Sequence, residues 1–518
     1  MSLNLQNSPH FELLRNYLRA AGFNEKSICD RLEITEMCEL LTTRGRHATP
    51  PKGSDELSLL TRLLLLGESL KREELESVLS SRVVEALTSL GLASLDPADG
   101  SRLFCPVVLY PVGSVFTVSD RWFALDGKDF KAPDDIVYPA ITPNTREFLA
   151  TLPLTPCDSF LELCSGTGAV ALAASGYAKK SWAIDITERS TQMAEFNRLL
   201  NGLDNVTVLK GDLYEGVEDL KFDRIVAHPP YMPVVQPAQI FYDGGRDGEQ
   251  VTRRIVEGLP RYLRPGGCFY CLAQGSDRKS APFEQRLRGW LGESQADFDV
   301  AVIEKRAQEP ADAALLYAMK SKGGYQALNL MRDSLSSLGI ESLVYGWIII
   351  QRKDDTRGVF TVRRSGGPRT GREGIAWLLK WETFAAGPSA FESLQGMIPV
   401  ARRSLELHTI YRMKEGELVP EQFTLHTDEP FSMDCKVQPW VGFLIQLCDG
   451  KSTVRQLWET CKANNFIQPE TPPQEFAKLI GVLISGGLLE VADFCPPNSP
   501  AGEKPLADAH DHLQHQAL

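Results

Sequence analysis

Between residues 136 and 353 short apolar runs alternate with amphipathic stretches, and nothing else in the chain narrows its fold so far. Runs at 159–164, 181–185, 205–209, 222–227, 268–273, 298–303 and 343–350 have the length and the β-branched or aromatic character of strands. Stretches at 169–175, 188–200 and 250–262 show helical spacing between them. Strands that are apolar on both faces need cover on both faces, and helical crossovers supply it. The spacing predicts an α/β domain over residues 126–353 built on a seven-stranded, largely parallel sheet. Residues 309–338 exceed a simple connection, which predicts helices there.

The flanks follow other patterns. Residues 1–50 read as a helical segment. Over 51–125, three short amphipathic stretches (56–66, 72–80, 82–90) precede a hairpin-like turn, the layout of a winged helix. From Lys52 to Asp120 there are six basic and ten acidic residues, a poor balance for reading DNA and a better one for packing or docking. Residues 354–430 form a connecting region, with a loop expected over 363–372 and strand-like alternation at 404–410 and 422–427. Residues 431–494 read as a second winged-helix-like unit, and it resembles the small peptide-binding domains of the PqqD type. The polar tail 495–518, with His510, His512 and His515, reads as disordered chain rather than a metal site.

Composition sets limits. The 518 residues carry 55 basic and 67 acidic side chains, a net charge of −12, which removes the simplest route to non-specific nucleic-acid binding. The Leu-rich run 59–66 is broken by Arg62 and is far too short to span a membrane. The first residues lack a basic region followed by an apolar one, so no signal peptide is expected. Eleven scattered cysteines read as reduced thiols, hence a cytoplasmic protein. Cys268 and Cys271 form the single CxxC, but in a strand they face opposite sides, as structural thiols do. No His, Cys, Asp and Glu cluster has metal-ligand spacing, and no metal is expected.

One ordered constellation carries chemistry. Glu162-Leu163-Cys164-Ser165-Gly166-Thr167-Gly168 follows the first strand and opens a helix, where doubly wound sheets bind ligands. Glycines there let the backbone turn tightly and approach a ligand. Asp185, followed by Ile186, ends the second strand, where a carboxylate can accept from both hydroxyls of a ribose. Gly211-Asp212-Leu213 follows the third strand, within reach of an adenine amino group, and His228-Pro229-Pro230-Tyr231 follows the fourth. A nicotinamide-binding unit would want GxGxxG, and it has no use for the Pro-Pro-Tyr corner.

The set resembles the S-adenosylmethionine-dependent methyltransferases of the Rossmann-like class, and more narrowly the HemK/PrmC group, which methylates glutamine amides in proteins. The resemblance rests on residues 136–352. It includes the A-x-x-N pattern within 194–203 and the Gly244-Gly245-Arg246-Asp247-Gly248 loop after the Pro-Pro-Tyr corner. It implies S-adenosylmethionine as cofactor, held by Glu162, Cys164, Ser165, Gly166, Thr167, Gly168, Asp185, Ile186, Asp212, Leu213 and His228. It also implies His228, Pro229, Pro230 and Tyr231 as the transfer corner. Tyr138, Thr142 and Asn144 fall where the family has a pocket-walling segment. Arg246 and Asp247 either clamp substrate or form their own ion pair.

Two positions depart from the family. Cys164 stands where many methyltransferases have glycine; a buried strand end with no histidine nearby in sequence does not make a nucleophile. His228 stands where the family has asparagine. A carboxamide offers a donor and an acceptor on one small head; a neutral imidazole cannot. It can, however, take a proton, since an unperturbed histidine titrates near pH ~6.5. His228 therefore either orients and deprotonates the acceptor, or is structural in a site that works by proximity. The acceptor expected is a nitrogen: a protein or peptide side chain, or a small nitrogenous metabolite, with a nucleic-acid base disfavoured by charge. A non-catalytic module that keeps only the fold is the remaining alternative, and the retained Gly166, Gly168, Asp185 and Asp212 argue against it. The flanking domains are candidates for substrate recruitment or for a homodimer contact.

Overall fold

The computed structural model describes residues 3–6, 8–41, 51, 53–122, 132–236, 239–320 and 323–494. The tail at 495–518 lies outside the described residues, as does 42–50. A large mixed sheet organises the rest. Its strands are β1 (Cys157–Leu163), β2 (Ala178–Asp185), β3 (Val206–Lys210), β4 (Phe222–Ala227), β5 (Leu263–Arg278), β6 (Phe298–Gln308), β7 (Ile340–Arg352), β8 (Thr361–Gly366), β9 (Glu406–Lys414), β10 (Glu417–Thr427) and β11 (Phe431–Val437). Their spatial order is β9-β10-β11-β8-β6-β7-β5-β4-β1-β2-β3. Five neighbours, β3, β2, β1, β4 and β5, run parallel. Strand β7 inserts antiparallel between β5 and β6.

The seven-strand expectation is corrected in extent: the sheet has eleven strands among the described residues. The loop expected over 363–372 is corrected too, because β8 pairs parallel with β6 through Val362, Arg363 and Arg364. The physical reason is charge. Arg363 is tied to Asp277, Glu284 and Glu304, and Arg364 to Glu382. Paired arginines can occupy a half-buried strand that shows no apolar alternation. The sheet thus continues across residue 353 and ends in the exposed β9–β10 hairpin.

Three helices place the site. The helix α1 (Ala169–Ala174) follows β1, α2 (Glu188–Asn201) follows β2, and α3 (Gln250–Tyr262) precedes β5. Thr187 caps α2 by accepting from the Ser190 N–H, and Gly202 at φ 66° ends it. Two further helices, Pro310–Lys320 and Gly324–Ser337, fill the long connection between β6 and β7.

Before the sheet, helices Glu56–Leu60, Arg72–Leu79 and Ser81–Ser89 pack with strands Leu70–Lys71, Ser94–Leu95 and Arg102–Phe104, the last one central. A hairpin of Val108–Val112 and Val115–Ser119 then docks on α2. Asn201 accepts from the Phe116 N–H (2.9 Å) and donates to its carbonyl (2.7 Å). Asn197 does the same for Val118 (2.7 and 3.2 Å). Two asparagines one helical turn apart thereby stand in for a neighbouring strand and satisfy buried backbone groups. The asparagine of the A-x-x-N pattern is one of them.

Candidate functional site

Every strongly placed sequence candidate lies at the C-terminal edge of β1, β2, β3 or β4. The loop after β1 is held by Ser165 N–H to Ile184 O (3.0 Å) and Gly168 N–H to Ser165 O (2.8 Å). Its two glycines serve different ends. A Cβ on Gly168 would sit 3.1 Å from the Ala194 Cβ of α2, so that glycine allows helix packing. A Cβ on Gly166 would meet nothing within 4 Å, so that glycine borders open space. Both have positive φ, as does Cys164 at 55°. The Cys164 thiol is pushed up by burial and by Asp185 and Asp212, which keeps it unreactive.

The Asp185 carboxylate faces this loop. It accepts from the Gly166 N–H (2.8 Å) through one oxygen and from the Thr187 N–H (3.0 Å) through the other. The adjoining Ile186 is 50 % exposed, an apolar surface beside a carboxylate. Thr167 and Leu213 are buried. The buried Ser165 Oγ has no partner among the described residues. Open space over Gly166, an orphaned hydroxyl, a carboxylate and an exposed apolar side chain together fit a nucleoside with an amino-acid arm.

Two candidates are engaged otherwise. Asp212, assigned to an adenine amino group, is bound by Arg254 of α3 (2.8 Å). Glu162, assigned to the cofactor, accepts from the Ala171 N–H (2.7 Å) and so caps α1 from beneath. Burial raises the Glu162 carboxyl to about 8.

The His228–Tyr231 corner leaves β4. The His228 ring lies between Phe148, at 6.1 Å, and Tyr231, at 5.9 Å, the latter nearly parallel to it. Its Nε2 is buried without a partner among the described residues, and burial lowers its pKa to about 4. The expectation of titration near 6.5 is thus corrected: desolvation disfavours the imidazolium, and the ring is neutral at pH 7. The Tyr231 hydroxyl accepts from Asn144 Nδ2 (3.2 Å), which brings two candidates together. Thr142 caps the helix carrying Asn144, and Tyr138 instead stacks on Phe241 at 5.3 Å.

The Gly244–Gly248 loop lies against this corner. The Gly244 N–H donates to Met232 O and the Val234 N–H to Gly245 O, both at 3.0 Å. A Cβ on Gly248 would sit 2.5 Å from the Tyr231 carbonyl oxygen, which is why glycine is needed there. Arg246 and Asp247 do not pair with each other. Asp247 is bound by Arg278 (2.7 Å), while the exposed Arg246 has no partner among the described residues. Gln274 was missed by sequence reasoning; it lines a cavity beside Tyr231, and a polar residue closing an apolar strand was its signal.

Residues 139–296 match the methyltransferase small domain family. This part of the chain is similar to methyltransferase domains. It is 35% identical over 143 residues to the release factor glutamine methyltransferase of Moorella thermoacetica, covering 25% of this chain and 50% of that protein. It is 30% identical over 160 residues to the ribosomal protein uL3 glutamine methyltransferase of Bradyrhizobium diazoefficiens, covering 28% of this chain and 50% of that one. The chain thus spans about half the length of these curated relatives. Among solved structures, the ribosomal protein L11 methylase of Lactobacillus delbrueckii subsp. bulgaricus shares 20% identity, covers 38% of this chain and 71% of that one, and has a TM-score of 0.24. No three His, Cys, Asp or Glu side chains gather as metal ligands among the described residues. No described helix is long and apolar enough to cross a membrane.

Proposed function

We propose that the protein is an S-adenosylmethionine-dependent N-methyltransferase acting on a protein or peptide side chain. One observation carries the reading: Asp185 and the Gly166 loop border open space at the same sheet edge as the His228–Tyr231 corner. The relatives named for glutamine methylation favour an amide acceptor. When bound, S-adenosylmethionine supplies an electrophilic methyl group. Asp185 would hold the ribose, Ile186 the adenine, and Ser165, Thr167 and Gly166 the amino-acid arm. His228 and Tyr231 would orient a planar acceptor between them, with the Pro229 and Pro230 carbonyls fixed by the rigid corner.

A neutral His228 with a pKa of about 4 is a weak base, so positioning is its main role and proton removal a minor one. Asp212 reaches adenine only if Arg254 moves aside or shares it. Residues 56–104 have the element order of a winged helix, and we assign them, with the PqqD-like 431–494, to docking in a cytoplasmic enzyme. The test is calorimetric titration with S-adenosylhomocysteine. Micromolar binding that Asp185→Ala abolishes supports the proposal, whereas a folded protein without affinity favours a scaffold that has left catalysis.

A further inference from the structure

The outer edge of the large sheet is open. Strand β9 pairs with β10 on one side and with no other strand among the described residues. Strand β10 in turn pairs with β11 only over Phe423–Thr427, so residues 410–422 form a two-stranded arm beyond β11. An open strand edge presents a row of backbone donors and acceptors to whatever lies beside it.

The arm has an apolar face. Cross-strand partners share a face, and on this one Leu407 pairs with Leu425, Thr409 with Phe423, Tyr411 with Pro420 and Met413 with Leu418. The face begins in the core at Leu425, which is 1% exposed, and runs out into solvent. Leu407, Tyr411, Met413 and Leu418 are each at least 47% exposed. At its inner end Leu407 Cδ2 lies 3.7 Å from where a Cβ on Gly442 would stand, beside the helix Pro439–Leu447. A contiguous apolar surface on a projecting arm marks an interaction site.

The opposite face names the occupant. Along β9 it reads Glu406, His408, Ile410, Arg412 and Lys414, with an acid at one end, bases at the other and isoleucine midway. An antiparallel neighbour of the same sequence, with Ile410 opposite Ile410, brings Glu406 opposite Lys414 at both ends. That register pairs all nine residues of the strand. A parallel copy would set Glu406 beside Glu406 and Lys414 beside Lys414, a repulsive arrangement. Arg412 is already neutralised by Glu421 (2.6 Å), so a His408 opposite it meets no free cation. Glu406 touches His408 (2.7 Å) and Lys414 reaches Glu421 only at 4.0 Å, exposed contacts that a cross-strand pair can replace.

We propose that β9 joins two copies of this chain antiparallel about Ile410, so that their sheets continue as one. The contact is isologous, each copy offering the same strand. Apolar rows then cross the junction: Leu425 and Leu407 of one copy continue into Met413 and Leu418 of the second. The arm tip of each copy thereby comes alongside the other's helix Pro439–Leu447, where Phe443 is 54% exposed. This assembly goes beyond the methyl-transfer reading and does not depend on it.

Sedimentation velocity of the full chain over about a hundred-fold range of concentration should show monomer passing to dimer. Glu406→Lys and Lys414→Glu should each weaken the dimer about ten-fold, because the symmetric contact contains the pair twice. The double variant restores the pair in reverse and should recover most of the affinity. Ile410→Lys should leave a monomer with an unchanged circular dichroism spectrum, since that side chain is 54% exposed. Under mild oxidation Ile410→Cys should crosslink to its own kind beyond the wild-type level, whereas Met413→Cys should do so only when mixed with Leu407→Cys. A monomer at every concentration would overturn the proposal. So would a dimer indifferent to these charges, a double variant no better than the single ones, or crosslinks that report another register.

Discussion

Replacing Glu162 by glutamine should change how stability depends on pH, and the direction follows from burial. The carboxyl lies under the loop after β1 with 6% exposure, and its pKa rises from 4.5 to about 8. Between those values the folded protein holds a proton that the unfolded chain has lost. Stability from this group is therefore full below pH ~4.5, falls as pH rises, and is gone above pH ~8. A tenfold change in proton affinity corresponds to about 1.4 kcal/mol, so the whole rise amounts to about 5 kcal/mol. Glutamine keeps the oxygen that accepts from Ala171 N–H and carries no charge to desolvate. Thermal unfolding of wild type and Glu162→Gln should coincide near pH 5 and separate steadily, with the variant several degrees higher at pH 8. Because the carboxyl is engaged with α1 rather than facing open space, S-adenosylhomocysteine affinity should change less than about three-fold. A pH-independent gap, or a variant less stable at every pH, would refute the argument.

His228 gives a second pH prediction. With a pKa of about 4, methyl transfer to a glutamine peptide should show no inflection near 6.5, and His228→Ala should lower turnover at least about ten-fold without altering cofactor affinity. An inflection near 6.5 lost in the variant would restore the general-base role. The two loop glycines should separate in kind. Both alanine variants should lose about 1 kcal/mol through their positive φ of 52° and 72°, and Gly168→Ala about 1–2 kcal/mol more through the Ala194 contact, whereas only Gly166→Ala should lose S-adenosylhomocysteine affinity. Both are read by thermal unfolding beside calorimetry. Asn201→Ala leaves the buried Phe116 N–H and carbonyl unpaired, at about 1–3 kcal/mol each, and should speed amide hydrogen exchange over 115–119 before the central sheet responds.

What the sequence made legible was set by how local each constraint is. Gly166, Gly168, Asp185 and His228 sit at strand ends, and a strand end is visible as the point where an apolar run stops. Those positions could be placed on one sheet edge without coordinates. Pairings between distant segments could not. The Asp212–Arg254 contact joins residues 42 apart, and Asp247 takes Arg278, 31 residues away, rather than its neighbour Arg246. Neither pairing has a periodic trace. Strand β8 was hidden for the same reason, because Arg363 fits the sheet only through carboxylates on other elements. Gln274 shows how the two kinds of information combine. Its polarity at the end of an apolar run is a local signal, but its place in the lining of the cavity beside Tyr231 is a property of the packed sheet. The ends of β4 and β5 meet at one edge, so a substitution at the His228 corner or at Gln274 should be read with the other in view.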